Sequence, residues 1–399
     1  MQDRLLHTPE GVRDIYHGEY AKKQVLENRL HKVFRLYGYQ DMETPTFEFF
    51  DVFGKEVGTT PSNELYKFFD REGNTLVLRP DFTPSIARAA SKYFADETMP
   101  LRISYAGNTF INHSSYRGKL RESTQMGGEL LGEESVEADA EMIALTIELL
   151  LEAGLKEFQV SVGHAAFFRG FAKEAGLTAD QEIELKNLIS MKNMFGVEEY
   201  LSNLSISEEH RRILASLTNM LGGREILEQA AAWKGSQKAS EAVSRLLGIY
   251  EVLKLYGLEH YVSFDLGMLS NYDYYTGIIF RGYTYGTGDA VVKGGRYDSL
   301  LSHFGKDVPA IGFAVYLDEL LLALSRQKIE LPVESGPTLL LYEKKDQKEA
   351  FLEASNLRRQ GCSVILMEKK KEMDDYQDYA KRNGFYAVRL FQKSDSLAM

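Results

Sequence analysis

The chain has 399 residues, 44% hydrophobic and 26% charged, enough for two or three domains with cores of their own. Its 58 acidic residues against 47 basic ones give a formal net charge of −11, which argues against tRNA as a partner, because phosphate binding concentrates lysine and arginine. One cysteine rules out an internal disulfide, no Cys/His spacing points to zinc, and no apolar run approaches the roughly 18 residues of a membrane span.

Residues 1–7 show no basic segment followed by an apolar one, so a cytoplasmic chain with no membrane contact is expected, with neither metal nor other cofactor. Residues 19–37 carry Ala21, Val25, Leu26, Leu30, Val33, Phe34 and Tyr37 at three- and four-residue steps, which predicts a helix with one buried stripe, ended by Gly38. Residues 64–70 and 75–79 read as a hairpin around Arg71-Glu72-Gly73-Asn74. The second strand runs into Leu78-Arg79-Pro80-Asp81-Phe82-Thr83-Pro84 and a helix over 85–94. Asp81 and Thr83 either cap that helix or hold a cationic ligand.

Residues 101–110 and 121–131 read as paired strands, and the strand period of two points Gln125 and Glu129 to one face. That face is either a small polar pocket or a solvated surface. An apolar helix over 134–153 and a strand over 157–163 follow. Between 172 and 257, Leu, Ala, Glu and Lys recur at helical spacing around the only tryptophan, Trp233, which predicts a helical insertion. The sheet resumes at 261–266, and again after Asp273-Tyr274-Tyr275-Thr276-Gly277, where a tyrosine pair either packs in the core or lines a site. Gly294-Gly295-Arg296-Tyr297-Asp298 reads as a Gly-rich turn into a helix, and 315–324 as a further helix. After a linker at 327–337, five alternating strands and helices make a small α/β unit, in which Cys362 reads as a buried thiol.

These stretches, taken together, resemble class II aminoacyl-tRNA synthetases, and specifically the histidyl branch. Tyr39 to Pro45 is similar to the first class II signature; Phe110-Ile111-Asn112-His113 with Arg121 to Glu129 resembles the second, and Ile311 to Leu320 the third. Leu78 to Thr83 resembles the branch's Leu-Arg-Pro-Glu-x-Thr, and Met268 to Gly277 its histidine-specific loop. The resemblance implies an α+β fold: a class II-like antiparallel sheet flanked by helices, with a helical insertion and a small C-terminal α/β domain. The implied boundaries are 1–171 and 258–326 for the two parts of the core, 172–257 for the insertion, 327–337 for the linker, and 338–399 for a domain resembling a shortened anticodon-binding domain.

By the same resemblance, Asp81, Thr83, Gln125, Glu129, Tyr274 and Tyr275 bind histidine. The arginines that the family directs at ATP and the substrate carboxylate fall instead on Ile111, Ser270 and Glu319. Losing one positioned donor costs an enzyme about 3 kcal/mol of transition-state stabilisation, so no catalytic residues are expected. Such a combination resembles the histidyl-tRNA synthetase paralogues that act as regulatory subunits of ATP phosphoribosyltransferase. It implies a non-catalytic subunit for the first step of histidine biosynthesis, a short-form catalytic subunit as partner, self-association as a class II-like dimer, and histidine as ligand. An active histidyl-tRNA synthetase and an inert synthetase-like RNA-binding module are the alternatives.

Overall fold

The computed structural model describes residues 5–54, 60–113, 119–269, 275–333 and 335–392. They fall into two compact units, one formed by residues through 13 together with 27–330, the other by 14–26 together with 331 onward.

The larger unit is built on a nine-stranded sheet. Its spatial order is Gln40–Asp41, Leu101–Phe110, Glu122–Leu131, Ala310–Tyr316, Val292–Arg296, Ile278–Thr284, Phe158–His164, Val262–Asp265 and Leu221–Gly222. Pairing is antiparallel except between Gln40–Asp41 and Leu101–Phe110 and between Phe158–His164 and Val262–Asp265. Helix Val136–Glu152 covers one face, packing on Ala310–Tyr316 and Ile278–Thr284 through its fully buried apolar side. Ser135 starts this helix by accepting the Ala138 N–H at 3.2 Å, with Glu137 and Asp139 in the first turn where the helix dipole favours acids. Phe34 lies on the same face, stacked on Phe313 with ring centroids 5.9 Å apart. The opposite face carries the polar residues of the candidate site.

Helix His17–Leu36 matches the apolar stripe read from the sequence, and Gly38 follows it with φ +78°, a conformation that glycine adopts without strain. Helix Ala165–Glu174 leads into the insertion region, which holds helices Ala179–Ser190, Met194–Ser202, Glu208–Ser216, Arg224–Ala231 and Gln237–Tyr256. Thr178, Asn193, Ser207 and Ser236 each cap a following helix, and Trp233 packs against Phe167 and Phe171. The two-residue strand Leu221–Gly222 inside this region was not expected; two residues carry no readable period, and only the pairing with Val262–Asp265 defines them.

Three readings are corrected. Gly294 and Gly295 lie inside strand Val292–Arg296 rather than in a turn. A Cβ at Gly294 would stand 2.4 Å from Phe280 Cζ, and one at Gly295 2.6 Å from Tyr275 Cε1, so crowding between neighbouring strands selects glycine here. Val315 and Tyr316 finish a strand, and the helix after them is Leu317–Arg326. Cys362 is exposed, because the turn before strand Val364–Glu368 faces solvent and the first inward position is Val364.

In the smaller unit, the parallel strands Val364–Glu368, Thr338–Tyr342 and Ala387–Leu390 lie in that order, with helices Gln347–Arg359 and Met373–Arg382. Among the described residues no helix is long and apolar enough to cross a membrane, and no group of three or more His, Cys, Asp and Glu side chains could hold a metal.

Candidate functional site

Glu129 is the centre of the site. It sits on the middle of strand Glu122–Leu131, opposite Gly312 on one side and Ile103 on the other, and is fully buried. An isolated buried carboxylate is costly, so its hydrogen-bond partners decide whether it is tolerated. Thr83 Oγ1 donates to Oε1 at 2.8 Å, and the Tyr297 hydroxyl donates to Oε2 in a short contact. Gly312 makes the room: a Cβ there would stand 1.5 Å from Glu129 Oε2. Burial nevertheless dominates, raising the Glu129 pKa from 4.5 to about 8 against the pull of the Tyr297 and Thr83 hydrogen bonds, with the nearby Asp81 charge adding to the rise.

Asp81 and Thr83 are delivered by the Arg-Pro-Asp turn between strand Thr75–Leu78 and helix Thr83–Tyr93. Arg79 anchors that turn by donating to the carbonyls of Asn108 (2.8 Å), Thr44 (2.7 Å) and Pro45 (3.3 Å). Its guanidinium lies 4.0 Å over the Phe82 ring, which stacks on Tyr105 at 4.5 Å. Asp81 is partly buried, its carboxyl raised by desolvation, and it accepts the Thr83 N–H at 3.3 Å. One oxygen of Asp81 therefore supports the helix start, as the capping reading has it, while its charge acts on Glu129.

Gln125 shares the Glu129 face, as the strand period requires, and is 4% exposed. Its Oε1 is buried and finds no hydrogen-bond partner among the described residues, in contrast to most buried polar atoms. Tyr275 is buried in one apolar cluster with Phe82, Tyr105 and Tyr297. Tyr274 and Ser270 lie outside the described residues.

Two residues of the site had no assigned role in the sequence reading. Tyr297 was visible in the Gly-Gly-Arg-Tyr-Asp run, but its bond to Glu129 spans 168 residues. Tyr105 is buried beside Glu129, and burial together with that carboxylate raises the pKa of both tyrosines well above the usual value, keeping their hydroxyls protonated as donors. The arrangement has two carboxyl groups, hydroxyl donors, an amide oxygen and aromatic walls. It suits a small cation rich in hydrogen-bond donors, whose charge would offset the cost of ionising Glu129.

The end of the strand pair is different. Ile111 is half-buried, its N–H donating to the Arg121 carbonyl at 2.9 Å. Glu319 stands in the first turn of helix Leu317–Arg326, where an acid suits the dipole. Asp318 accepts the Thr124 N–H at 2.7 Å and lies 4.0 Å from Arg13 Nη2; Arg121 Nη2 lies 3.9 Å from Glu10. Arg13 and Arg121 thus each face a carboxylate. Tyr316 is opposite Gln125 in register and points to the site face, with Lys293 Nζ 5.0 Å from its ring centre.

The chain matches the histidyl-tRNA synthetase family model over residues 11–320. It is 38% identical to the ATP phosphoribosyltransferase regulatory subunit of Acetivibrio thermocellus, over 97% of this chain and 93% of the relative, and 38% identical to that of Ruminiclostridium cellulolyticum, over 99% and 94%. The chain belongs to the ATP phosphoribosyltransferase regulatory subunit family, within the histidyl-tRNA synthetase fold. A solved structure from Bacillus halodurans C, titled an ATP phosphoribosyltransferase regulatory subunit/histidyl-tRNA synthetase, superposes with a TM-score of 0.86 at 32% identity, covering 97% of this chain and 98% of that one. Histidyl-tRNA synthetase from Nostoc sp. PCC 7120, at 20% identity and TM-score 0.79, covers 95% of this chain and 90% of that one and shares the fold. The α+β class II architecture expected from the sequence is the one found, with a mixed rather than wholly antiparallel sheet.

Proposed function

We propose that this chain is a regulatory subunit of ATP phosphoribosyltransferase, acting in histidine biosynthesis through a catalytic subunit of the short form, and that it performs no adenylation itself. The names of relatives matching nearly the whole chain support the regulatory role. The observation that carries the non-catalytic part is the asymmetry of the site face. Around Glu129 the polar groups are buried and directed inward, whereas the arginine positions of the second and third signatures hold Ile111 and Glu319. Adenylation builds negative charge on the oxygens of the α-phosphate and the leaving pyrophosphate and needs fixed cations beside them; a glutamate there repels a triphosphate.

In this reading, histidine is the ligand of the Glu129 pocket. Asp81, Thr83 and Gln125 receive its α-ammonium group, while Glu129 takes the imidazole beside Tyr275. Histidine controls the transferase only if it prefers one state of the complex. Self-association as a class II-like dimer and an anticodon-domain origin for residues 338–399 belong to the same proposal. Co-expression with a short-form transferase tests it: the two chains co-purify and phosphoribosyl transfer appears only with both. Transfer by the catalytic chain alone at the same rate would overturn the proposal.

A further inference from the structure

A cavity of about 390 Å³ lies on the same sheet face as Glu129 but across the sheet, beyond the strands Ala310–Tyr316 and Val292–Arg296. Its floor is a row of three register partners on adjacent strands: Arg281, Ser161 and Ser263. Because partners in register share a face, their side chains converge on one place. Lys192 closes the rim from the insertion. It is one of the few non-glycine residues with positive φ (+52°), and its ammonium donates to both oxygens of Asp265, at 3.0 and 2.9 Å.

Charge and hydrogen-bond accounting single out Arg281. Asp265 is matched by Lys192 and by the Gly267 N–H at 2.9 Å. Arg281 is partly buried, has no carboxylate in ion-pair range among the described residues, and spends one N–H on the Leu269 carbonyl at 3.3 Å. Four guanidinium N–H groups of Arg281 and the hydroxyls of Ser161 and Ser263 thus have no hydrogen-bond partner among the described residues, and all three residues line the cavity together with Lys192. A planar cation flanked by hydroxyl donors is the chemistry that recognises phosphate oxygens. The volume far exceeds a bare phosphate and falls in the range of small-molecule sites, with Gln159 and Tyr283 on the wall left for the rest of the ligand.

We propose that this cavity binds the phosphate group of a small phosphorylated molecule of sugar size, with Arg281, Ser161 and Ser263 as the phosphate ligands. The site is separate from the Glu129 pocket and its failure would leave the histidine reading standing. The test is calorimetric titration of the full chain at low salt with ribose 5-phosphate, inorganic phosphate, ribose and succinate. Ribose 5-phosphate binds, inorganic phosphate binds more weakly, and ribose and succinate do not. Arg281→Gln weakens ribose 5-phosphate binding by about tenfold or more, the Ser161→Ala/Ser263→Ala double variant by a smaller factor, and Arg281→Lys retains part of the affinity. Each variant is first shown to melt cooperatively like the parent. The proposal is overturned if no phosphate-bearing probe binds the parent, if a folded Arg281→Gln binds as tightly as the parent, or if succinate binds through Arg281 while the phosphates do not.

Discussion

Replacing Glu129 with glutamine separates the cost of the buried charge from the shape of the pocket. Glu129 ionises near 4.5 in the unfolded chain and near 8 in the folded one. Between those values the folded state holds the extra proton, so the contribution of Glu129 to stability is fully present below about 4.5 and is lost as pH rises through about 8. At about 1.4 kcal/mol per tenfold change, the full span is about 5 kcal/mol, an upper bound for a site that relaxes on ionisation. The burial-raised carboxyl of Asp81 adds to the slope with the same sign. Glutamine keeps the volume and an acceptor for Thr83 or Tyr297 but carries no proton to lose. Urea unfolding of parent and Glu129→Gln at intervals from pH 5 to 9 reads the difference directly. The expected result is a parent that loses stability from pH 5 to about 8 and levels off above that, while the variant stays flatter, the gap growing to a few kcal/mol. Parallel curves across that window would refute the assignment of a buried, proton-holding carboxyl.

Free histidine is expected to raise the melting temperature, since a ligand at 100 times its dissociation constant stabilises by about 2.7 kcal/mol, and Glu129→Ala is expected to abolish the shift in the same thermal scan. Gly312→Ala places a methyl group into the Glu129 carboxylate and should lower stability by about 1–3 kcal/mol in denaturant titrations, with loss of the histidine response. Asp139 is fully buried between Arg296 (2.6 Å) and Arg245 (2.5 Å), so Asp139→Asn leaves two guanidinium groups poorly matched. Its expected cost is about 3–5 kcal/mol by the same unfolding measurement.

The parts of this molecule that follow a local period were legible. The stripe from Val25 to Phe34 gives the helix His17–Leu36, and the period of two places Gln125 and Glu129 together. Asp81 and Thr83 could be tied to Glu129 only by resemblance, because the strand turn that brings them there is anchored by Arg79 through carbonyls 29 to 35 residues away. Tyr297 and Gly312 escaped assignment for the same reason: what selects them is a carboxylate more than 160 positions distant along the chain, and no local pattern encodes that contact. Gly294-Gly295 was misread because a glycine pair looks alike whether it makes a turn or lets two strands and two aromatic rings approach. Cys362 was misread because its residue type favours burial, while its place in a surface turn decides otherwise.

The central claim is a pocket fit for histidine beside a strand end unable to activate it. Histidine-dependent exchange of pyrophosphate into ATP measures this most directly, run on the purified chain with saturating histidine, ATP and magnesium. The account predicts exchange indistinguishable from a no-protein blank while histidine still shifts the melting temperature; robust exchange that requires histidine would contradict it.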